Sequence, residues 1–137
     1  MTQFTINIAI TEIANAVYSL TANAEKERGD DAHIATADNE DLISGFVVDG
    51  VHLLNDAVEF YGSAQKSGTN VSIAVDMPSN WPNEGEILKD TARVFLENYA
   101  VARWFELSGT ADRFNNAANV ALERLAKILE KRTKPSR

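Results

Sequence analysis

Two long amphipathic segments joined by a three-residue link dominate the second half of this chain. One runs from Asn83 to Leu107 and the other from about Ala111 to Lys131, each with apolar residues at helical spacing. Asn83 followed by Glu86 is an Asn variant of the capping box, which predicts the start of the first segment's helix. The link "SGT" is short, so we predict that the two helices pack antiparallel. The residues predicted to meet between them are Phe95, Tyr99, Phe105, Phe114, Leu122 and Leu125.

Two further helices are predicted in the first half of the chain. The first runs from about Thr11 to Arg28, and Gly29 is placed to stop it. The second is capped by Asp38 or Asn39 and keeps helical spacing to about Gln65. It contains two glycines, and each lowers helix propensity by about 1 kcal/mol relative to alanine. We expect a packing reason for them, such as close contact with another helix.

The other segments complete the predicted fold. "FTINIAI" alternates apolar and polar or small residues, which is typical of a short strand or extended arm over residues 1–10, or else of an irregular lead-in. The fold class is therefore mainly α: a four-helix bundle-like domain with a short β segment and a Pro-Trp-Pro loop between helices two and three. We expect one domain over residues 1–137, with a basic tail at residues 133–137.

The composition limits the classes of protein to which this chain can belong. Its 137 residues suffice for one hydrophobic core, and 45% are hydrophobic and 24% charged. The absence of cysteine excludes disulfides and thiolate metal sites. A net charge of −7 argues against a broad nucleic-acid surface. The N-terminus lacks the pattern of a signal peptide, and no apolar run approaches the roughly 18 residues of a membrane span.

The central stretch is the unusual part of the sequence. "VSIAV", residues 71–75, is a β-type run, and it is followed by Trp81 in a loop between Pro78 and Pro82. An exposed strand can pair with another chain, and a stiff loop can present an apolar anchor at low ordering cost. We therefore expect an extended strand with Ile73 and Trp81 exposed; alternatively, Trp81 covers one end of the helical bundle. The candidate subunit-interface residues are Val71, Ile73, Val75, Met77 and Trp81.

No catalytic or metal-binding motif stands out. His52 and Asp56 are one helical turn apart, but a metal site needs more ligands than this pair. His33 lies beside two aspartates without the spacing of a calcium loop. Glycine-rich phosphate loops and nucleophile elbows are missing from the sequence. We therefore expect a protein that is not an enzyme and holds no cofactor or metal.

The C-terminus carries a local excess of positive charge. Residues 122–137 hold 2 acidic and 6 basic side chains, whereas the rest of the chain is acidic. Basic residues near the end of a helix suit its dipole, and a solvated helix end is one interpretation. The other is contact with an acidic partner, for which the candidates are Lys131, Arg132, Lys134 and Arg137.

Three segments together suggest a family. They are "MPSNWPNEGEILKDTARVFLENYAVARWFELSG", "ADRFNNAANVALERLAKIL" and the basic "EKRTKPSR". Over roughly residues 38–137 the chain resembles small structural proteins of tailed bacteriophages and prophages, of the head–tail connector (head-completion or adaptor) kind, and it is similar to versions from phages of gut Bacteroidetes. In that family the penultimate long helix ends in an "Ala-x-Trp-Phe"-like stretch, which corresponds to residues 102–105 here. The acidic loop at residues 29–41 departs from the family pattern.

The resemblance implies a particular role. It implies a subunit that forms a ring beneath the portal, without a cofactor, assembled in the host bacterial cytoplasm and then part of the virion. Its partners would be copies of itself and other phage structural proteins, namely portal or tail components. A membrane or nucleic-acid partner is not expected. The alternative is a small bacterial helical module that binds or regulates one partner protein, and an enzyme with an unrecognised site is a third possibility.

Overall fold

The computed structural model describes residues 2–28, 34–77, 82–106 and 111–131. Within these ranges the chain is mainly helical, with a small antiparallel sheet. The elements, in chain order, are β1 Thr2–Ala9, α1 Ile10–Arg28, a 3-10 turn Ala37–Asn39, α2 Glu40–Val58, β2 Gly62–Ser67, β3 Asn70–Met77, α3 Pro82–Trp104 and α4 Ala111–Lys131. All four predicted helices are therefore present, and α1, α3 and α4 begin within one residue of their predicted starts.

The sheet has the order β1-β3-β2, with β3 in the middle and both pairings antiparallel. Ile73 of β3 lies opposite Ile6 of β1 on one side and opposite Ala64 of β2 on the other. The alternation predicted for the N-terminal segment thus corresponds to a strand within the sheet. β2 and β3 form a hairpin whose turn uses Gly68 at φ 62°, a conformation that favours glycine.

The predicted end of the second helix near Gln65 is wrong. α2 ends at Val58, and the next residues turn into the edge strand β2. Two hydrogen bonds accompany the end of the helix. The Tyr61 amide donates to the Val58 carbonyl across a tight turn, with an N–O distance of 2.8 Å, and the Ala64 amide donates to the Asn55 side-chain oxygen at 3.0 Å. At Gly62 an added Cβ would collide with the β3 backbone, so this close strand approach requires glycine.

α3 is the central helix of the domain and packs against α1, α2, α4 and β1. Phe95 on α3 and Phe105 directly after it are 1% exposed, and the rings of Phe105 and Phe114 stack with centroids 6.0 Å apart. Further along both helices, residues 87–94 of α3 lie across a groove from residues 117–124 of α4, so the two helices run antiparallel, as predicted. Leu125 is also fully buried, whereas Tyr99 and Leu122 are half-buried. Tyr99 lies against Gly50 of α2, and Leu122 borders a cavity with Ala57 of α2.

One of the two glycines of α2 has the packing role expected for both. A Cβ at Gly50 would lie 3.0 Å from the Leu96 side chain and 3.1 Å from the Tyr99 ring, so α2 and α3 approach closely there. Gly45 is different, because nothing lies within 4 Å of a Cβ at that position. The expectation of close helix contact is therefore confirmed at Gly50 and wrong at Gly45.

Candidate interaction surface

The central strand is buried within the subunit. Val71, Ile73 and Val75 are each 0% exposed, because they point from the middle strand of the sheet into the helical core. The expectation that Ile73 is exposed is wrong, and these three candidate interface residues belong to the subunit's own core. The physical reason is that β1 and β2 hydrogen-bond to both edges of β3 while the helices cover one face of the sheet.

The other predicted contact residues lie wholly or partly outside the described part of the chain. The side chains of Met77 and Lys131 lie outside the described part of the chain, although their backbones end β3 and α4. Trp81, Arg132, Lys134 and Arg137 also lie outside it. The predictions about the Pro-Trp-Pro loop and about the basic tail therefore stay predictions.

A different apolar surface is open to solvent, in a groove between α3 and α4. Its rim carries Ile87, Val94 and Val120, which are 42%, 38% and 65% exposed. Its floor is formed by smaller residues, namely Thr91, Ala117 and Ala121. The groove encloses about 330 Å³ and is open along one side. We call it the α3–α4 groove.

The polar groups of the α3–α4 groove are few and differ in character. The Thr91 hydroxyl donates to the Ile87 carbonyl at 2.7 Å, so its proton is used within the helix and the floor favours an apolar occupant. On the α3 wall, Asp90 lies 3.6 Å from Arg93. On the α4 wall, Arg124 is exposed and contributes positive charge. The groove therefore suits an apolar group, and because Asp90 is paired within α3, an acidic neighbour of that group would be favoured on the α4 wall.

A second exposed apolar feature lies at the end of α2. The Phe60 side chain, in the turn between α2 and β2, is 86% exposed, which is the highest value among the large apolar side chains of the described residues. Glu59 beside it is also exposed. Ala57, near the end of α2, borders a separate cavity of about 440 Å³ toward α4. Neither Glu59 nor Phe60 is among the residues that line the α3–α4 groove.

Titratable side chains in the described part of the chain occupy both exposed and buried positions. His52 is exposed on α2, and His33 lies outside the described residues. Within the described ranges, no three His, Asp or Glu side chains are close enough to hold a metal ion. Burial raises the pKa of the Glu97 carboxyl, although Arg93 opposes this by donating to it at 3.3 Å; nearby Glu12 raises it further. The Glu97 side chain is thus buried on α3, paired with Arg93 of the same helix and near Glu12 of α1.

The chain was compared with protein-family models, curated proteins and solved structures. No family model, no curated protein and no solved structure matches this chain. Over the described residues, none of the helices combines the length and the hydropathy that crossing a bilayer would require.

Sequence reasoning missed the exposed apolar residues, although two signals were present. Val120 lies off the apolar stripe of α4, which follows Phe114, Ala118, Leu125 and Leu129. Phe60 and Tyr61 are adjacent aromatics, and neighbouring side chains cannot both face one core. Ile87 and Val94 gave no such signal, because they match the helical spacing expected of buried residues.

Proposed function

We propose that this chain is a non-enzymatic structural protein of a tailed bacteriophage or prophage, a head–tail connector subunit that assembles with copies of itself. The resemblance over residues 38–137 supports this role. The observation that carries the assembly part is the α3–α4 groove, because it exposes Ile87, Val94 and Val120 together on the helices that also carry the resemblance. Clustered exposed apolar residues usually mark interaction surfaces.

The proposed mode of assembly differs from the one expected from the sequence. Because β3 is buried, we place the contact between copies on helical surfaces and on the loop that carries Trp81. We further propose that the four helices form a bundle around α3, with the Pro-Trp-Pro loop at its border. The other partners would be portal or tail components, in the host cytoplasm during assembly and then in the virion. No cofactor takes part.

A second candidate function is a small bacterial module that binds or regulates one partner protein. The observation in its favour is again the α3–α4 groove, since an amphipathic helix of another protein can lay its apolar face in such a groove. The two candidates differ in what the groove binds: copies of the chain in the first, and a different protein in the second.

Gene neighbours and particle composition test the connector proposal. We expect portal, capsid and tail genes beside this gene, and peptides of this protein in particles purified after induction of the prophage. A matched control is a host cytosolic protein of similar abundance, which should be absent from the particles. A gene surrounded by regulatory genes, with the protein in a tight 1:1 complex with another chain, would instead support the binding module.

A further inference from the structure

Phe60 lies outside the α3–α4 groove of its own subunit. The groove is lined by residues of α3 and α4, whereas Phe60 lies in the turn between α2 and β2. Its side chain is 86% exposed, so the ring does not fill the groove of its own chain. One copy therefore has an exposed ring to offer to one neighbour and an open groove to offer to another.

The two features are complementary in polarity. Phe60 offers an exposed aromatic ring, and the α3–α4 groove offers an apolar rim and a floor whose hydroxyl is already bonded. Moving the Phe60 ring and the groove's apolar surface out of water is favourable, in proportion to the apolar area buried. An aromatic side chain that fills a pocket is also typical of interface hot spots. The groove volume of about 330 Å³ is ample for one aromatic side chain.

They are also complementary in charge. Glu59 directly precedes Phe60, and Arg124 lies on the wall of the groove. The groove also carries Asp90 on its α3 wall, but this carboxylate lies 3.6 Å from the Arg93 guanidinium, which offsets its charge within α3. A carboxylate carried in on the α4 wall would meet the Arg124 guanidinium, and the two can form a charge-assisted hydrogen bond. The chain as a whole has a net charge of −7, so this local pairing also offsets repulsion between acidic copies.

We propose that Phe60 of one copy inserts into the α3–α4 groove of the next, with Glu59 paired to Arg124 across the contact. The contact joins two different surfaces, so it is head-to-tail: it closes into a ring if the rotation between copies allows and forms a filament otherwise. This inference deepens the proposed function, on which it rests for the expectation that copies associate, by naming the surface and its occupant.

The first experiment measures the association of full-length variants by analytical ultracentrifugation over a wide concentration range. We expect Phe60→Ser and Val120→Asp each to weaken self-association at least about 30-fold, as loss of a hot-spot residue does. The matched control is Leu42→Ser, at a 52% exposed position on α2 outside both surfaces, which should associate like wild type. Circular dichroism should show unchanged helicity for all three, since the side chains are exposed.

Mixing the two defective variants distinguishes a head-to-tail contact from other arrangements. Phe60→Ser keeps an intact groove and Val120→Asp keeps an intact aromatic side chain, so an equimolar mixture should form a 1:1 complex that grows no further. If the groove paired with the same groove of a second copy, Phe60→Ser alone would still dimerise. If the groove bound a foreign helix, the mixture would stay monomeric. Either result overturns the proposal.

A charge exchange provides an independent test that leaves the apolar residues in place. Glu59→Lys and Arg124→Glu should each weaken association about tenfold or more, and combining them in one chain should restore most of it. Failure of the double variant to recover would contradict the Glu59–Arg124 pairing. A wild type that stays monomeric up to its solubility limit would overturn the contact altogether.

These outcomes separate this inference from the proposed function. Self-association that survives both Phe60→Ser and Val120→Asp would refute the contact and leave the connector role intact. Conversely, a head-to-tail oligomer from a gene without phage neighbours would uphold the contact and refute the connector role.

Discussion

Replacing Phe95 by alanine should test the core most directly. Phe95 is 1% exposed at the centre of α3, and its ring lies 5.7 Å from the Tyr99 ring. Truncating a buried phenylalanine costs about 3–5 kcal/mol through lost transfer energy and the cavity left behind. Tyr99 in turn accepts a hydrogen bond from Arg103 at 3.0 Å, and Arg103 donates to Asp49 on α2 at 3.2 Å. The α2–α3 contact should therefore loosen as well, which places the loss in the upper half of this range.

The chain offers a chemically identical control. Phe60→Ala removes the same atoms at a position that is 86% exposed, so the free energy of unfolding should change by no more than about 0.5 kcal/mol. Urea unfolding followed by circular dichroism measures the free energy of unfolding of both variants, and thermal unfolding measures their midpoint temperatures. Both use a protein concentration at which ultracentrifugation finds only monomer. For a domain of this size, we expect the Phe95→Ala midpoint temperature to fall by roughly 10–20 °C. A loss below about 1 kcal/mol, or an equal loss at Phe60, would refute this account of the core.

Four further predictions concern other parts of the chain. Gly45→Ala should raise the free energy of unfolding by roughly 0.5–1 kcal/mol, whereas Gly62→Ala should lower it because the new Cβ meets β3; equal effects in urea titrations would contradict this. Because the pKa of Glu97 is raised, the folded state keeps a proton that the unfolded state releases. The free energy of unfolding should therefore fall as the pH rises from the ordinary glutamate pKa through the raised one, and Glu97→Gln should flatten the dependence of the melting temperature on pH over this range. Trp81→Ala should spare helicity and weaken association by at least about 2 kcal/mol, and a destabilised subunit with unchanged association would instead make Trp81 a core residue. Deleting residues 133–137 should leave the melting temperature unchanged and weaken binding to an acidic partner, most visibly at low salt; a fall of many degrees would show that the tail is part of the fold.

The helices were predictable because their signals are local. α4 matches its predicted bounds, since a single apolar stripe depends only on residues within a few turns of one another. The antiparallel pairing of α3 and α4 was also predictable, because the three-residue link "SGT" leaves little choice of direction. The same kind of signal indicated a strand at the N-terminus through strict alternation.

The end of α2 and the position of β3 depended on distant parts of the chain. The residues after Val58 keep helical spacing, but they pair with a strand that begins at Asn70. Likewise, "VSIAV" favours a strand both at the edge and in the middle of a sheet. It is central and buried here only because β1, more than sixty residues away in the sequence, pairs with its second edge. Hydrogen-bonding partners of a strand are long-range, so its exposure cannot be derived from its own residues.

The candidate surface was decided by tertiary structure for the same reason. Ile87 and Val94 repeat at the spacing of a core face, yet α3 is already surrounded by α1, α2, α4 and β1, and α4 leaves one flank of it open. The sequence by itself determined that this chain would build four amphipathic helices around an apolar core. Which apolar residues the core would cover, and which it would leave exposed to solvent, followed only from how many neighbours fit around α3.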